Sequence, residues 1–431
     1  MKKTLLTTAL CVLFALSARA QEGAWSGDLN VMGTKLPLVF HFSAEGCTMD
    51  SPQQGARGIK AQWTPQADGT VKVQVPKLGV SYEGKYDGQE IRGTFKQNGL
   101  SLPLNLTSGE QKLNRPQTPV APFPYTTEEV TFKDGEVELH GTLTLPEGCN
   151  AQTPVLVMVT GSGLQNRDEE LFGHKPFAVI ADALARQGIA TLRYDDRGFG
   201  ENTLPSSALT NYHFCCDALR AIELLRERFT RVGVLGHSQG GSIALEIASR
   251  GKADFIVSMA GMAVSGRETM LAQNRHSLLA AGFDEEAVEK YCTALLAGFE
   301  QICEGKKAQE IPQPDVPYLL KVNFTEALKQ CEDPGVRSIF EIDLADALPK
   351  IKCPVLALNG TKDIQVDCAS NLDALRKGLK KNKHAKILSV EGLNHLFQHC
   401  QTGEVAEYGQ IEETISPEVL TEMTTWVKQL K

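Results

Sequence analysis

A serine lies at the centre of the pattern Gly-x-Ser-x-Gly, in residues 236–240, and that serine is Ser238. The apolar run 232–235 comes directly before the pattern, and a helix is predicted to begin near Gly241. A serine on such a strand-to-helix turn has its hydroxyl held out above the sheet, while the glycines allow a strained backbone and close packing. The pattern predicts that Ser238 is a nucleophile. A plain turn serine is the alternative.

Serine is a weak nucleophile and needs a base, and two later segments could supply an acid and a base. Asp363 is in the loop after the buried run 355–358, and His395 is in the loop after the predicted strand 385–390. Groups that follow the strands of an open parallel sheet collect at its carboxyl edge. Ser238, Asp363 and His395 are therefore predicted to form a catalytic triad in the chain order serine, acid, histidine.

Neighbouring residues compete for these roles. Asp367 precedes the helical run 369–379 and is better explained as a helix cap. His384 precedes its strand and so belongs at the opposite edge of the sheet, and His399 has no role that the sequence indicates. Taken singly, Asp363 and His395 could also be a capped loop residue and a hydrogen-bonded surface histidine.

Acyl transfer also needs hydrogen-bond donors for the oxyanion. The backbone N–H of Gln239, the residue after the nucleophile, is the first candidate. The second is expected from Gly163 and Leu164, because they lie in a loop of small residues after the predicted strand 155–159. A simple glycine turn is the alternative for that loop.

Two polar segments give weaker signals. Gln165, Asn166 and Arg167 adjoin the same loop and are candidates for contact with substrate. Asp195 and Asp196 are paired carboxylates, which suits acid/base chemistry or metal binding, but a loop held by an Asp–Arg ion pair is the favoured interpretation. The glycine-rich segments do not form a phosphate-binding loop, and we predict neither a metal nor a cofactor.

The elements that must position these residues begin near residue 126. From there to residue 431, apolar runs alternate with amphipathic helical stretches, which predicts an α/β domain with a mostly parallel sheet. Residues 265–347 interrupt the alternation with helix-forming sequence and are predicted to be an inserted helical cap.

The chain before this domain has a different pattern. Residues 21–107 alternate apolar and polar residues between turn signals, which predicts a small all-β domain of five or six strands, a sandwich or half-barrel. Residues 108–125 contain four prolines and are predicted to be a linker. Residues 1–20 combine Lys2 and Lys3, an apolar core and the small-residue pattern 18–20, as a signal peptide does. A buried N-terminal helix is the alternative.

Cleavage near Ala20 predicts a periplasmic or secreted protein, and no other apolar stretch is long enough to predict an integral membrane segment. The 431 residues have a net charge of −8 and are 42% hydrophobic, which excludes general disorder and argues against non-specific nucleic-acid binding. The cysteines show no paired C-x-x-C pattern, so they do not indicate a zinc site. The sequence gives no oligomeric state.

In combination, these motifs resemble exported bacterial serine hydrolases of the α/β-hydrolase superfamily, in the esterase and prolyl-oligopeptidase-like group. The segments that carry the resemblance are Gly161-Ser162-Gly163, Arg167-Asp168-Glu169, Arg193-Tyr194-Asp195-Asp196-Arg197-Gly198, Gly236-His237-Ser238-Gln239-Gly240-Gly241, Asn359-Gly360-Thr361-Lys362-Asp363 and Gly392-Leu393-Asn394-His395. The resemblance implies an α/β-hydrolase fold from 126 to 431 with Ser238, Asp363 and His395 as its triad. The segment 21–107 resembles the lipocalin-like domains fused to such hydrolases.

Two segments depart from the pattern of that family. Gln239 stands where glutamate is frequent, and Leu164-Gln165-Asn166 stand where Pro-Gln-Asp is frequent. Both lie beside the expected oxyanion site, so a substrate preference does not carry over.

The function that we expect is hydrolysis of small-molecule carboxylic esters through an acyl-enzyme, without a cofactor. The alternatives are a peptidase or amidase that uses the same triad, and a non-catalytic envelope-binding protein in which the hydrolase fold is a silent scaffold.

Overall fold

The computed structural model describes residues 22–31, 34–52, 56–66, 68–97, 99–109, 114–200 and 204–430. These residues divide into two compact units, one formed by the chain up to Arg115 with Leu171–His174, and the other by Pro116–Glu170 with the chain from Lys175 onward. The predicted signal peptide, residues 1–20, lies outside the described residues. Within the described residues, no helix is both long and apolar enough to cross a bilayer.

The first unit is a closed antiparallel barrel of eight strands. Its strands are β1 (Gly23–Val31), β2 (Thr34–Ser43), β3 (Gly46–Ser51), β4 (Ala56–Pro65), β5 (Thr70–Val75), β6 (Val80–Tyr86), β7 (Glu90–Gln97) and β8 (Leu100–Ser108). Each strand pairs with the next, and β1 pairs with β8 where Ser26 lies opposite Thr107. The expectation of five or six strands was therefore wrong, since the domain has eight. The expectation of a sandwich or half-barrel was also wrong, because the pairing of β1 with β8 closes the sheet.

Side chains fill the interior of the barrel, as expected for eight strands. Phe40 stacks on Tyr82 with 5.5 Å between the ring centroids, and the Tyr82 hydroxyl donates to the carbonyl oxygen of Ile91 at 3.1 Å. A Cβ atom on Gly93 would lie 2.5 Å from that hydroxyl, so only glycine leaves room for the tyrosine.

The second unit contains an eight-stranded sheet in the order β16-β15-β14-β13-β11-β12-β10-β9. Its strands are β9 (Tyr125–Asp134), β10 (Val137–Pro146), β11 (Val155–Val159), β12 (Ala190–Tyr194), β13 (Val232–His237), β14 (Ile256–Met259), β15 (Val355–Gly360) and β16 (Ala385–Val390). The six strands from β12 to β16 along the sheet pair in parallel, whereas β10 is antiparallel to both of its neighbours. The sequence analysis did not predict β9, whose side chains are mostly exposed.

Helices cover both faces of this sheet. They are α1 (Pro176–Ala185), α2 (Asn211–Arg226), α3 (Gln239–Ser249), α4 (Gly266–Ala280), α5 (Glu285–Cys303), α6 (Tyr318–Cys331), α7 (Pro334–Phe340), α8 (Cys368–Gly378), α9 (Val405–Tyr408) and α10 (Pro417–Gln429). Alternate residues of each buried strand contribute to two cores, one packed against α2, α3 and α8 and the other against α1 and α10. This arrangement is the α/β-hydrolase fold, preceded by the barrel.

Residues 265–347, predicted to be a helical cap, contain the four helices α4–α7 and no strand. They have a hydrophobic cluster of their own, which includes the buried rings of Tyr291, Phe299 and Phe324. From α4, Gln273 donates through Nε2 to the carbonyl oxygen of Gln365 at 2.7 Å. The insert therefore contacts the loop that carries Asp363.

Candidate active site

Ser238 lies on a strained turn between β13 and α3. Its backbone has φ 54° and ψ −118°, a conformation that costs free energy in a residue other than glycine. Two glycines make the turn possible, because a Cβ on Gly236 would lie 1.9 Å from the Gly240 carbonyl oxygen, and one on Gly240 would lie 2.0 Å from that of Val159. The Ser238 N–H donates to the Met259 carbonyl oxygen at 2.8 Å, and the residue is half-buried. The helix begins directly after it, at Gln239, rather than near Gly241.

Asp363 and His395, predicted from separate loops, are hydrogen-bonded to each other. His395 Nδ1 lies 2.8 Å from Asp363 Oδ2, and both side chains are almost completely buried. The other carboxylate oxygen, Oδ1, accepts from the backbone N–H groups of Gln365 and Val366 at 2.8 and 2.9 Å. Because a carboxylate only accepts, Nδ1 carries the proton, which leaves Nε2 as the basic nitrogen.

The three predicted triad residues follow the carboxyl ends of β13, β15 and β16, which run parallel. The ring of His237, next to Ser238, lies 4.8 Å from the ring of His395 between centroids. In the part of the chain that the structure describes, no hydrogen bond joins Ser238 Oγ to His395 Nε2. Catalytic hydrogen bonds of this kind are often long before substrate binds.

The competing residues have other positions. Asp367 caps α8, because its side chain accepts from the Ser370 N–H at 2.8 Å, and the prediction of a helix cap is confirmed. The carbonyl of His384 accepts from the N–H of Val355, the first residue of β15, so His384 lies at the amino edge of the sheet as expected. His399 Nδ1 lies 2.8 Å from Glu413 Oε1.

The backbone N–H of Gln239 is at the first position of α3, where helical N–H groups have no acceptor inside the helix. On the opposite side, Gly161 is the residue of the 160–164 loop that lies against the nucleophile, since a Cβ on it would be 3.3 Å from Ser238 Cβ. Its own N–H already donates to Glu169 Oε1 at 2.7 Å. Gly163 and Leu164 are exposed further along the loop, and their role as oxyanion donors stays a prediction.

The candidate substrate residues Gln165, Asn166 and Arg167 make contacts within the protein. The Gln165 N–H donates to Asp196 Oδ2 at 2.8 Å, and Asn166 Oδ1 accepts from two backbone N–H groups. Arg167 binds Asp195 and Glu129. The hydrogen bonds that Arg167 donates to Asp195 raise the pKa of Arg167 above its usual range. These contacts fix the loop, and contact with substrate stays a prediction.

The paired carboxylates Asp195 and Asp196 also have structural partners. Asp196 accepts from Thr160 Oγ1 at 2.8 Å, and burial raises the pKa of its carboxyl to about 8. Arg197 forms ion pairs with Asp217 and Asp134 rather than with its neighbours in the sequence. The loop that contains Asp195 and Arg197 is held by Asp–Arg ion pairs, which agrees with the favoured interpretation. The partners of these two residues, however, come from other segments of the chain. Among the described residues, no group of three or more His, Cys, Asp or Glu side chains could hold a metal ion.

Sequence reasoning missed two residues beside this site. His237 Nδ1 lies 3.0 Å from Glu169 Oε1, and His237 Nε2 lies 2.9 Å from the carbonyl oxygen of His395. A histidine directly before the candidate nucleophile was a signal that could have indicated His237. Glu169 is in one of the segments that carry the family resemblance, but no local pattern indicates its pairing with His237, because the two residues are 68 positions apart in the chain.

Comparison with known proteins identifies the family. Residues 156–408 match the alpha/beta hydrolase family, and the chain belongs to that family. Esterase EstD of Thermotoga maritima is 32% identical over 263 residues, which are 60% of this chain and 58% of EstD, so the chain spans little more than half the length of that relative.

Two solved structures are similar at low identity. Est1E from Butyrivibrio proteoclasticus is 17% identical with a TM-score of 0.41, over 70% of this chain and 99% of that chain. An esterase of Pyrococcus furiosus is 14% identical with a TM-score of 0.44, over 74% of this chain and 98% of that chain.

Proposed function

We propose that the protein is a serine carboxylesterase that cleaves small-molecule esters through an acyl-enzyme. One observation carries the proposal: the buried 2.8 Å hydrogen bond between His395 and Asp363, at the same sheet edge as Ser238 on its strained turn. Membership of the alpha/beta hydrolase family supports it, as does the similarity to a relative named as an esterase.

In this scheme, Ser238 Oγ attacks the carbonyl carbon of the ester and its proton passes to His395 Nε2. Asp363 stabilises the imidazolium that forms. The negative charge on the tetrahedral oxygen is met by the Gln239 N–H and by N–H groups of the 160–164 loop, where Gly163 and Leu164 are the candidates. His395 then gives the proton to the departing alcohol, which leaves the acyl group on Ser238. Water repeats the sequence, and the carboxylic acid is released.

The direct test is Ser238→Ala, with Ser249→Ala at the other end of α3 as the matched control. A fluorophosphonate probe should label the wild type and the control but not Ser238→Ala, and hydrolysis of a short-chain nitrophenyl ester should fall by about 10⁴-fold or more. Unchanged circular dichroism would show that the fold is retained. Turnover that survives in a clean Ser238→Ala preparation would refute the assignment. Faster cleavage of a matched amide than of the ester would instead identify an amidase.

We also propose that the chain is exported after cleavage near Ala20. The order of a basic start, an apolar core and small residues at 18–20 supports this proposal.

A further inference from the structure

Glu169 and His237 form a buried pair directly behind the candidate triad. Their side chains are 3% and 9% exposed, and Glu169 Oε1 lies 3.0 Å from His237 Nδ1. The same oxygen accepts from the Gly161 N–H at 2.7 Å, and His237 Nε2 lies 2.9 Å from the carbonyl oxygen of His395. The pair therefore joins three segments: the 160–164 loop, the turn that holds Ser238, and the loop that carries the base.

Glu169 occupies this position at a cost in stability. Its backbone has φ 53°, which is unfavourable for a residue other than glycine. Its second oxygen, Oε2, is buried without a hydrogen-bond partner in the described part of the chain. A small cavity beside it is lined mainly by apolar side chains, including Phe177, Met259 and Phe397. Strain and an unsatisfied buried oxygen at one residue beside a candidate active site point to a function for that residue.

Hydrogen-bond chemistry fixes where the protons of the pair lie. A carbonyl oxygen only accepts, so His237 Nε2 must carry a hydrogen and donate it to His395. The short contact on the other side of the ring then needs one further proton between Nδ1 and Oε1. Without that proton, a carboxylate oxygen would face a nitrogen lone pair. Burial alone would lower the pKa of His237, but the charge and hydrogen bond of Glu169 outweigh it and raise the pKa.

We propose that Glu169 and His237 are positioning residues for ester hydrolysis, which hold the 160–164 loop and the backbone of His395 in register with Ser238 as long as the pair keeps its shared proton. This inference rests on the proposed function. Neither side chain needs to touch the substrate. Losing the link would move His395 and Gly161 relative to Ser238, and misplacement by about 1 Å can cost roughly 10²-fold in rate.

The proposal predicts an upper pH limit to activity. The charged and titratable groups that act on the pair are Asp363, which favours the protonated ring, and Asp196, which interacts with Glu169, while His395 contributes its carbonyl. Because the folded-state pKa of His237 is raised, the link is complete below the ordinary value of 6.5 and is lost as the pH rises through the folded-state value. The rate should therefore fall as the pH rises through that folded-state value.

The test compares Glu169→Gln, His237→Gln and the double variant with the wild type, using nitrophenyl ester kinetics from acid to alkaline pH. Each single variant should lower kcat by roughly 10²-fold with little change in KM, and should lack the fall at the upper pH limit. The double variant should be no worse than the poorer single variant, because both act through one link. Asp217→Asn removes an equally buried paired carboxylate and should affect stability, not the pH profile.

A second measurement does not depend on activity or on whether the Glu169 variants fold. NMR titration of the His237 ring in Ser238→Ala should give a raised pKa that matches the upper pH limit of the wild type. A normal His237 pKa, or variants with wild-type kcat and pH profile, would overturn the inference while leaving the esterase proposal intact. A wild type that hydrolyses no ester would refute the proposed function, whereas a raised His237 pKa would still establish the shared proton.

Discussion

The barrel and the α/β-hydrolase unit both have buried strands, but they differ in the types of polar side chain that they bury. In the described strands of the barrel, the buried side chains are apolar except for Ser26, Ser51 and the Tyr82 hydroxyl. The hydrolase unit buries ionisable side chains: Glu169, Asp196, Arg197, Asp217, His237, Asp363 and His395. A buried charge costs several kcal/mol unless it is paired. Four of these residues lie at or beside the candidate active site, whereas Asp196, Arg197 and Asp217 are paired within the structure of the unit.

The largest expected effect separates two aspartates that are four residues apart in the hydrolase unit. Asp363→Asn should lower kcat by about 10⁴-fold, because an amide no longer holds the productive tautomer of His395. Asp367→Asn changes a carboxylate that only caps α8, so activity should be retained. Stopped-flow or steady-state ester hydrolysis measures both.

If Asp367→Asn were inactive and Asp363→Asn active, the assignment of Asp363 as the acid of the proposed triad would be wrong. Asp367→Ala adds a check on stability, since loss of a helix cap costs about 1 kcal/mol of unfolding free energy.

The next effect concerns the barrel. Phe40→Ala removes a fully buried ring that stacks on Tyr82, and should destabilise the barrel by about 3–5 kcal/mol. The hydrolase unit has separate cores, so kcat measured well below the melting transition should not change. Thermal unfolding and ester kinetics on the same samples test this. A fall in kcat that parallels the fall in Tm would show that catalysis depends on barrel packing.

The smallest effect, taken over a single pH unit, is a pH dependence of stability that comes from Asp196, a buried carboxyl with no part in the proposed reaction. Burial raises the pKa of Asp196 to about 8, so the folded state keeps a proton that the unfolded chain releases near pH 4. Stability should fall as the pH rises from about 4 to about 8, by about 1 kcal/mol per pH unit from this group. Urea unfolding at two pH values within that window measures the slope, and Asp196→Asn should reduce it. An unchanged slope would assign the pH dependence to other groups.

The positions of Ser238 and Asp363 could be predicted from the sequence because each follows a short strand that is buried throughout, and strands of this type are recognisable locally. His395 follows β16, which is only partly buried, so its position depended more on the chain order serine, acid, histidine. The strand β9 could not be predicted, because Tyr125–Asp134 is an edge strand whose mostly exposed residues show no apolar face. Closure of the barrel depends on β1 meeting β8, a pairing between distant segments that local alternation does not specify. The link between Glu169 and His237 was missed for the same reason, since it forms only when a loop and a turn far apart in sequence come together.

The placement of the three candidate catalytic residues after β13, β15 and β16 has a consequence for biosynthesis. Synthesis runs from the N-terminus, so Ser238 is made long before His395, which lies near the end of the chain. Under the proposed function, Ser238 lacks its base and is an ordinary alcohol until the last strands are translated and paired. A nascent chain, or a fragment cut before β16, should therefore hydrolyse no ester, and activity should appear only when His395 is in place.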